Sequence, residues 1–239
     1  MISVGILLCD DHYEDTISVY GHYDDAFKRL LSIDGINVSK TFRCFQGEFP
    51  SQPDACDVWV ITGSKWSVYD NDPWIETLAT FIRLCDKRHH PLLGVCFGHQ
   101  IIHFALGGTV EKSDKGWGMG LYPLNVTHQG RRYFTADTPS SISLLAVHQD
   151  QVHLPADTFM TIASSDFCPQ AITVKETHIL TMQCHPEFTA PFIIQLLERL
   201  REKAGDENVD RARRTVEWFG EGERQYVVSL LRRFILSCS

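Results

Sequence analysis

The hydrophobic pattern along the chain switches repeatedly between two periods. Ser3-Val4-Gly5-Ile6-Leu7-Leu8 is a short apolar run checked by Asp10-Asp11, and it reads as a buried strand. Tyr23 to Leu31 follows, with Ala26, Phe27, Leu30 and Leu31 on one helical face. Asn37 to Phe45 predicts a second strand, and Val58-Trp59-Val60-Ile61 a third that ends in the turn Thr62-Gly63-Ser64. Ile75 to Arg88 carries Leu78, Phe81, Ile82 and Cys85 at helical spacing. Pro91-Leu92-Leu93-Gly94-Val95 is almost wholly apolar, as a strand covered on both faces of a parallel sheet must be.

Beyond about Trp117 the texture changes to shorter alternating strands separated by turn residues, an antiparallel segment appended to the parallel one. Ile179 to Gln183 predicts a last strand, which runs into Cys184-His185-Pro186-Glu187. Phe192 to Leu200 is amphipathic, and Lys203 to Glu207 reads as polar linker. Val209, Ala212, Val216 and Phe219 then form one apolar stripe, and Tyr226, Val227, Leu230, Leu231, Phe234 and Ile235 a second. These two tail helices either pack on their own domain or dock a partner. The expected architecture is α/β: a flavodoxin-like, doubly wound, mostly parallel sheet with a small antiparallel segment over residues 1–202. A helical extension over 203–239 is expected to pack on the same domain.

Composition narrows the classes further. The 239 residues are 44% hydrophobic and 22% charged, which suits one core. A net charge of −8 argues against a nucleic-acid partner or an anionic membrane surface. No run approaches the roughly 20 apolar residues of a membrane helix, and the first apolar run lacks a basic leader before it. The eight cysteines are scattered without a CxxC pair in a chain too long to need disulfides, so a reduced, cytoplasmic enzyme is expected.

The segment richest in chemistry is Gly94-Val95-Cys96-Phe97-Gly98-His99-Gln100. An apolar strand enters a small-residue turn and leaves as a helix, the sulfur version of a nucleophile elbow. Small neighbours allow the tight turn that lifts the thiol clear of the sheet. A helix N-terminus favours thiolate, and the amide of Phe97 is placed to bind an oxyanion. By itself the pentapeptide fits either a nucleophile or a small buried hydrophobe. A thiolate nucleophile wants a base and an orienter. His185 ends a predicted strand 89 residues later, with Glu187 two positions on, so both side chains can share one face. Cys96, His185 and Glu187 therefore make a candidate triad.

With these residues the chain resembles the class I (triad) glutamine amidotransferases, in four places over roughly residues 1–190. The elbow with Ala105-Leu106-Gly107-Gly108 resembles the family's cysteine signature, and Cys184-His185-Pro186-Glu187-Phe188 its histidine–glutamate box. Ile61-Thr62-Gly63-Ser64 stands at the oxyanion loop, and Ala146-Val147-His148-Gln149-Asp150 resembles a stretch of the GMP-synthetase-like branch. The resemblance implies a γ-glutamyl thioester on Cys96, an oxyanion held by the amides of Gly63 and Phe97, and His185 oriented by Glu187. It places Ser64, Gln100, His148, Gln149 and Asp150 on the substrate side, and implies no cofactor and no metal. Gly47-Glu48-Phe49-Pro50 and Asn71-Asp72-Pro73-Trp74 resemble the stand-alone subgroup that includes plant γ-glutamyl peptidases. No synthetase segment or glycine-rich phosphate loop is present. The implied substrate is glutamine or a small γ-glutamyl compound. The alternatives are a glutaminase subunit feeding ammonia to a separate synthetase partner, and a regulatory domain of the same fold.

Other histidines and aromatics fit blander roles. His99 and His103 share a helix face four residues apart but lack a third ligand nearby. His89-His90 reads as solvated, and His148 and His153 as candidate walls of the site. Cys184 reads as buried packing. Trp66, Tyr69 and Trp74 either line the pocket or pack a long loop.

Overall fold

In the computed structural model, which describes residues 1–238, the short apolar runs become the strands of one sheet and the amphipathic runs cover it. The first part of the chain supplies β1 (Ile2–Leu8), α1 (Glu14–Tyr20), α2 (Tyr23–Leu31) and β2 (Ile36–Arg43). Next come β3 (Val58–Ile61), α3 (Pro73–Lys87), β4 (Leu92–Val95) and α4 (Phe97–Ala105). Seven further strands follow: β5 (Thr109–Lys112), β6 (Gly118–Val126), β7 (Ser141–His148), β8 (Asp150–Leu154), β9 (Phe159–Ser164), β10 (Ile172–Lys175) and β11 (Ile179–Met182). The chain closes with α5 (Ala190–Arg199), α6 (Arg201–Ala204), α7 (Asp206–Phe219) and α8 (Arg224–Leu236).

Nine strands form one sheet in the order β2-β1-β3-β4-β11-β10-β9-β6-β7. The first five run parallel. From β11 onward each pairing is antiparallel, so the antiparallel segment continues the same sheet. β5 and β8 make a separate antiparallel ribbon. The α/β class expected from the sequence is the one observed.

Strand periodicity explains the two cores. Val58 and Val60 of β3 join Val4, Phe27 and Leu31 on one face. Trp59 and Ile61 join Leu78, Ile82 and Ile102 on the other. β4 divides the same way, with Leu93 and Val95 on the first face and Leu92 on the second. Each such buried aliphatic side chain contributes about 1.5–3 kcal/mol, so both faces must be covered. The carboxyl ends of β4 and β11 therefore emerge side by side at a fixed spacing.

Three expectations are corrected, and one helix comes unannounced. Residues 203–207 are not a linker: α6 and α7 are nearly continuous, broken only at Gly205, whose φ of 83° is the left-handed geometry glycine tolerates. β2 stops at Arg43 because Cys44–Gln46 turns into a short 3-10 helix. α1, which buries only Thr16, has no apolar stripe to announce it. Phe219 is 66% exposed beside an exposed Trp218 and stands outside its expected stripe.

Both tail helices lie on this chain's own elements. Val209, Val216, Val227, Leu231 and Ile235 are buried. Thr215 Oγ1 accepts from the Leu121 amide at 2.9 Å, and Arg232 Nη2 donates to the Leu30 carbonyl at 2.7 Å. No helix among the described residues is long and apolar enough to cross a membrane.

Candidate active site

Between the last residue of β4 and the first of α4 stands a single residue, Cys96, with φ 52° and ψ −105°. Such a backbone costs a non-glycine residue of order 1–3 kcal/mol and persists only where its surroundings over-determine it. Here they do. The Cys96 amide donates to Met182 O at 2.8 Å, the Gln100 amide to Cys96 O at 3.0 Å, and the Gly98 amide to Thr62 O at 3.1 Å. A Cβ on Gly98 would lie 2.2 Å from the carbonyl oxygen of Ile61, so only glycine lets α4 sit this close to β3. The turn presents Cys96 at 6% exposure above the parallel strand ends.

β11 brings the second group. His185 follows its end, anchored by its amide to Leu145 O at 2.8 Å. Its Nδ1 donates to Glu187 Oε1 at 2.7 Å, and Phe188 stacks on the ring at 4.1 Å with the planes 6° apart. His185 and Glu187 are both 3% exposed. Burial alone would lower the imidazole's pKa, but the charges of Glu187 and of the Cys96 thiolate outweigh it, and it is pushed up to about 10. Nε2 is buried without another hydrogen-bond partner and is the nitrogen left for the thiol.

A fourth side chain was not visible in the sequence. Tyr23, at the start of α2, donates its hydroxyl to the same Glu187 Oε1 at 2.7 Å across 164 residues of chain. Burial, then the charge of Glu187, holds that phenol well above its ordinary pKa, so it stays a donor. No local pattern announces this contact, because it exists only once α2 is laid against the end of β11.

Gly63 lies on the other side. A Cβ there would come 2.6 Å from the Tyr23 hydroxyl, 3.1 Å from His185 Cε1 and 3.5 Å from Cys96 Cβ, so its backbone lies directly against these groups. Phe97 is fully buried and opens α4, where first-turn amides lack an intrahelical acceptor. The structure thus brings Cys96, His185, Glu187, Gly63 and Phe97 together.

The remaining expected residues form a supporting layer. Ser64 Oγ donates to Cys9 O at 3.0 Å and accepts from the Trp66 amide at 3.2 Å, so its hydroxyl is engaged inside the loop. Gln100 Nε2 donates to Asp150 O at 2.7 Å and to Gln183 Oε1 at 3.0 Å. His148 is bracketed by the Tyr122 hydroxyl at 2.9 Å and Asp150 O at 3.0 Å. Burial lowers its pKa to about 4, which leaves it neutral. Gln149 accepts from the Ser113 amide at 2.9 Å, and Asp150 accepts from Ser67 Oγ at 2.6 Å. That last bond ties the loop after β3 to β8.

His153 is exposed and forms no wall. His90 is half-buried rather than solvated, with Nε2 unpartnered. His99 and His103 are buried on Thr181 and Thr173 hydroxyls at 2.7 and 2.9 Å. Cys184 is buried, and burial raises its thiol pKa well above the usual value. Trp66 and Trp74 pack edge to face at 5.7 Å, and Trp74 meets Phe97 at 5.5 Å, so these two brace the loop against the elbow. Tyr69 is 44% exposed.

Comparison with known proteins gives a consistent result. The family model described as glutamine amidotransferase class-I matches residues 45–191. Gamma-glutamyl peptidase 5 of Arabidopsis thaliana is 29% identical over 223 residues, covering 90% of this chain and 88% of that protein. A glutamine amidotransferase-like protein of Schizosaccharomyces pombe is 30% identical over 211 residues, covering 83% of this chain and 84% of its own. In fold, the crystal structure of a glutamine amidotransferase from Thermotoga maritima superposes with a TM-score of 0.70 at 20% identity, covering 98% of each chain.

Proposed function

The chain belongs to the class-I glutamine amidotransferase family, and on that premise we propose that it is a cysteine hydrolase of γ-glutamyl amide bonds, with a small γ-glutamyl peptide as substrate. The observation that carries this is the buried His185–Glu187 pair set beside a nucleophile-elbow cysteine of left-handed backbone. In the proposed cycle Cys96 Sγ attacks the γ-carbonyl carbon, and the amides of Gly63 and Phe97 hold the oxygen as it gains charge. Collapse breaks the carbon–nitrogen bond, and His185 gives its Nε2 proton to the leaving amine. A γ-glutamyl thioester remains. His185, now neutral, takes a proton from water; the hydroxide attacks, the carbon–sulfur bond breaks, and glutamate leaves. Glu187 fixes the ring and balances its charge through both halves.

The peptide substrate is supported by the likeness to gamma-glutamyl peptidase 5, which spans nearly the full length of both chains. The test is glutamate release by the purified protein from glutamine, from glutathione and from a glutathione conjugate, read by mass spectrometry. Turnover of the peptides but not of glutamine is expected, with Cys96→Ala lower by about a thousandfold or more. Preference for glutamine would replace the peptidase by a glutaminase component. Unchanged activity in Cys96→Ala would refute the mechanism.

A further inference from the structure

At the end of the central strands opposite Cys96, three metal-binding side chains converge. His89 lies in the turn between α3 and β4, and Glu176 and His178 in the turn between β10 and β11. Each strand that carries a reacting group beyond its carboxyl end therefore has one of these histidines before its amino end. His89 Nδ1 is 3.2 Å from Glu176 Oε2, and His178 Nδ1 is 3.7 Å from the same oxygen. No two of the three ligand atoms are more than 4.8 Å apart, and among the described residues this is the one such group.

An exposed His–Glu pair alone would be an ordinary surface contact of little consequence. His178 makes it more than that. It is 4% exposed, and its Nδ1 is buried with no hydrogen-bond partner. Its Nε2 donates to Asp86 Oδ1 at 3.0 Å, and Lys175 Nζ holds that carboxylate at 2.6 and 2.8 Å. With the proton on Nε2, a lone pair on Nδ1 faces the carboxylate oxygen of Glu176. In that tautomer the Nδ1 lone pair and the Glu176 oxygen face one another as two acceptors, an arrangement that a cation relieves.

We propose that His89, Glu176 and His178 form a zinc site, with water as the fourth ligand. The two nitrogens and one carboxylate suit Zn²⁺. Ligands at about 2.0–2.1 Å around a tetrahedral ion lie roughly 3.3 Å from one another, and the two separations to Glu176 bracket that value. The His89–His178 separation, within 4.8 Å, can adjust by rotation of His89, whose side chain is 67% exposed. Asp86 behind His178 supplies the carboxylate that typically orients a zinc-bound imidazole. His89 and Glu176 also hold positive φ values of 51° and 50°. A bound ion would clamp the α3–β4 turn to the β10–β11 hairpin and fix the starts of β4 and β11.

Cys96→Ala protein is the material for the test, since it removes a thiol that would itself take zinc. Titration with Zn²⁺ by calorimetry is expected to give one ion per chain, with a melting temperature that climbs with zinc concentration. His89→Ala and Glu176→Gln, placed separately in that background, should each weaken binding at least tenfold and abolish the rise. Both side chains are at least half exposed, so both variants are expected to fold. Co²⁺ in place of Zn²⁺ should give a visible ligand-field spectrum that either variant alters. Absence of binding, or unchanged affinity in either variant, overturns the site.

Discussion

Glu187 Oε1 receives two donors at once, the imidazole of His185 and the phenol of Tyr23. Its charge, with that of the thiolate, is what lifts His185 against the opposing effect of burial. Because the folded value of about 10 lies above the ordinary one, the stabilisation from this charged imidazole is complete below about pH 6.5. It is lost as pH climbs toward 10. Glu187→Gln keeps the shape and removes the charge, so the imidazole pKa must fall. The alkaline limb of the kcat/KM profile is expected to move toward neutrality; a limb that stays in place would mean another group governs it. Tyr23→Phe deletes only a hydroxyl bonded to a carboxylate, an interaction of about 1.5–3 kcal/mol. Turnover should drop roughly ten- to a hundredfold while KM changes little, measured by steady-state kinetics.

At the scale of elements, the elbow depends on how closely α4 approaches β3. Gly98→Ala forces a methyl into the Ile61 carbonyl and should destabilise the fold by about 1–3 kcal/mol, read from a denaturant midpoint. The strands and helices around this elbow were legible because burial on both faces leaves a dense apolar signature: Tyr23–Leu31 and Val58–Ile61 fall where their periodicity puts them. α1 was hidden because a helix burying one threonine has no stripe to read. The helical character of 203–207 was hidden by polar residues that face solvent on a helix as readily as they would fill a linker. In the site, Cys96, His185 and Glu187 announce themselves through motifs local in sequence. Tyr23, Gln183 and Ser67 do not, since their roles depend on partners between 83 and 164 residues away.

Taken whole, the molecule closes on itself through its last helices. Arg224 at the head of α8 donates through Nε to the carbonyl of Pro186, inside the turn that holds His185 and Glu187. Glu223 Oε2 accepts from the Ser143 amide at 2.6 Å, which fixes the same helix to β7. Arg224→Ala is expected to fold but to lose turnover several-fold, whereas a chain cut after residue 202 should fail to give soluble monomer by gel filtration. The order of the sheet has a consequence in time. β4 is complete at residue 95, yet the strand that pairs its free edge, β11, begins only at residue 179. At about 5–20 residues per second, the nascent chain spends about 4 to 17 seconds on the ribosome with that hydrophobic edge unpaired. The strand that brings in His185 is thus also the one that ends the chain's most adhesive moment, and assembling the site and escaping aggregation are the same event.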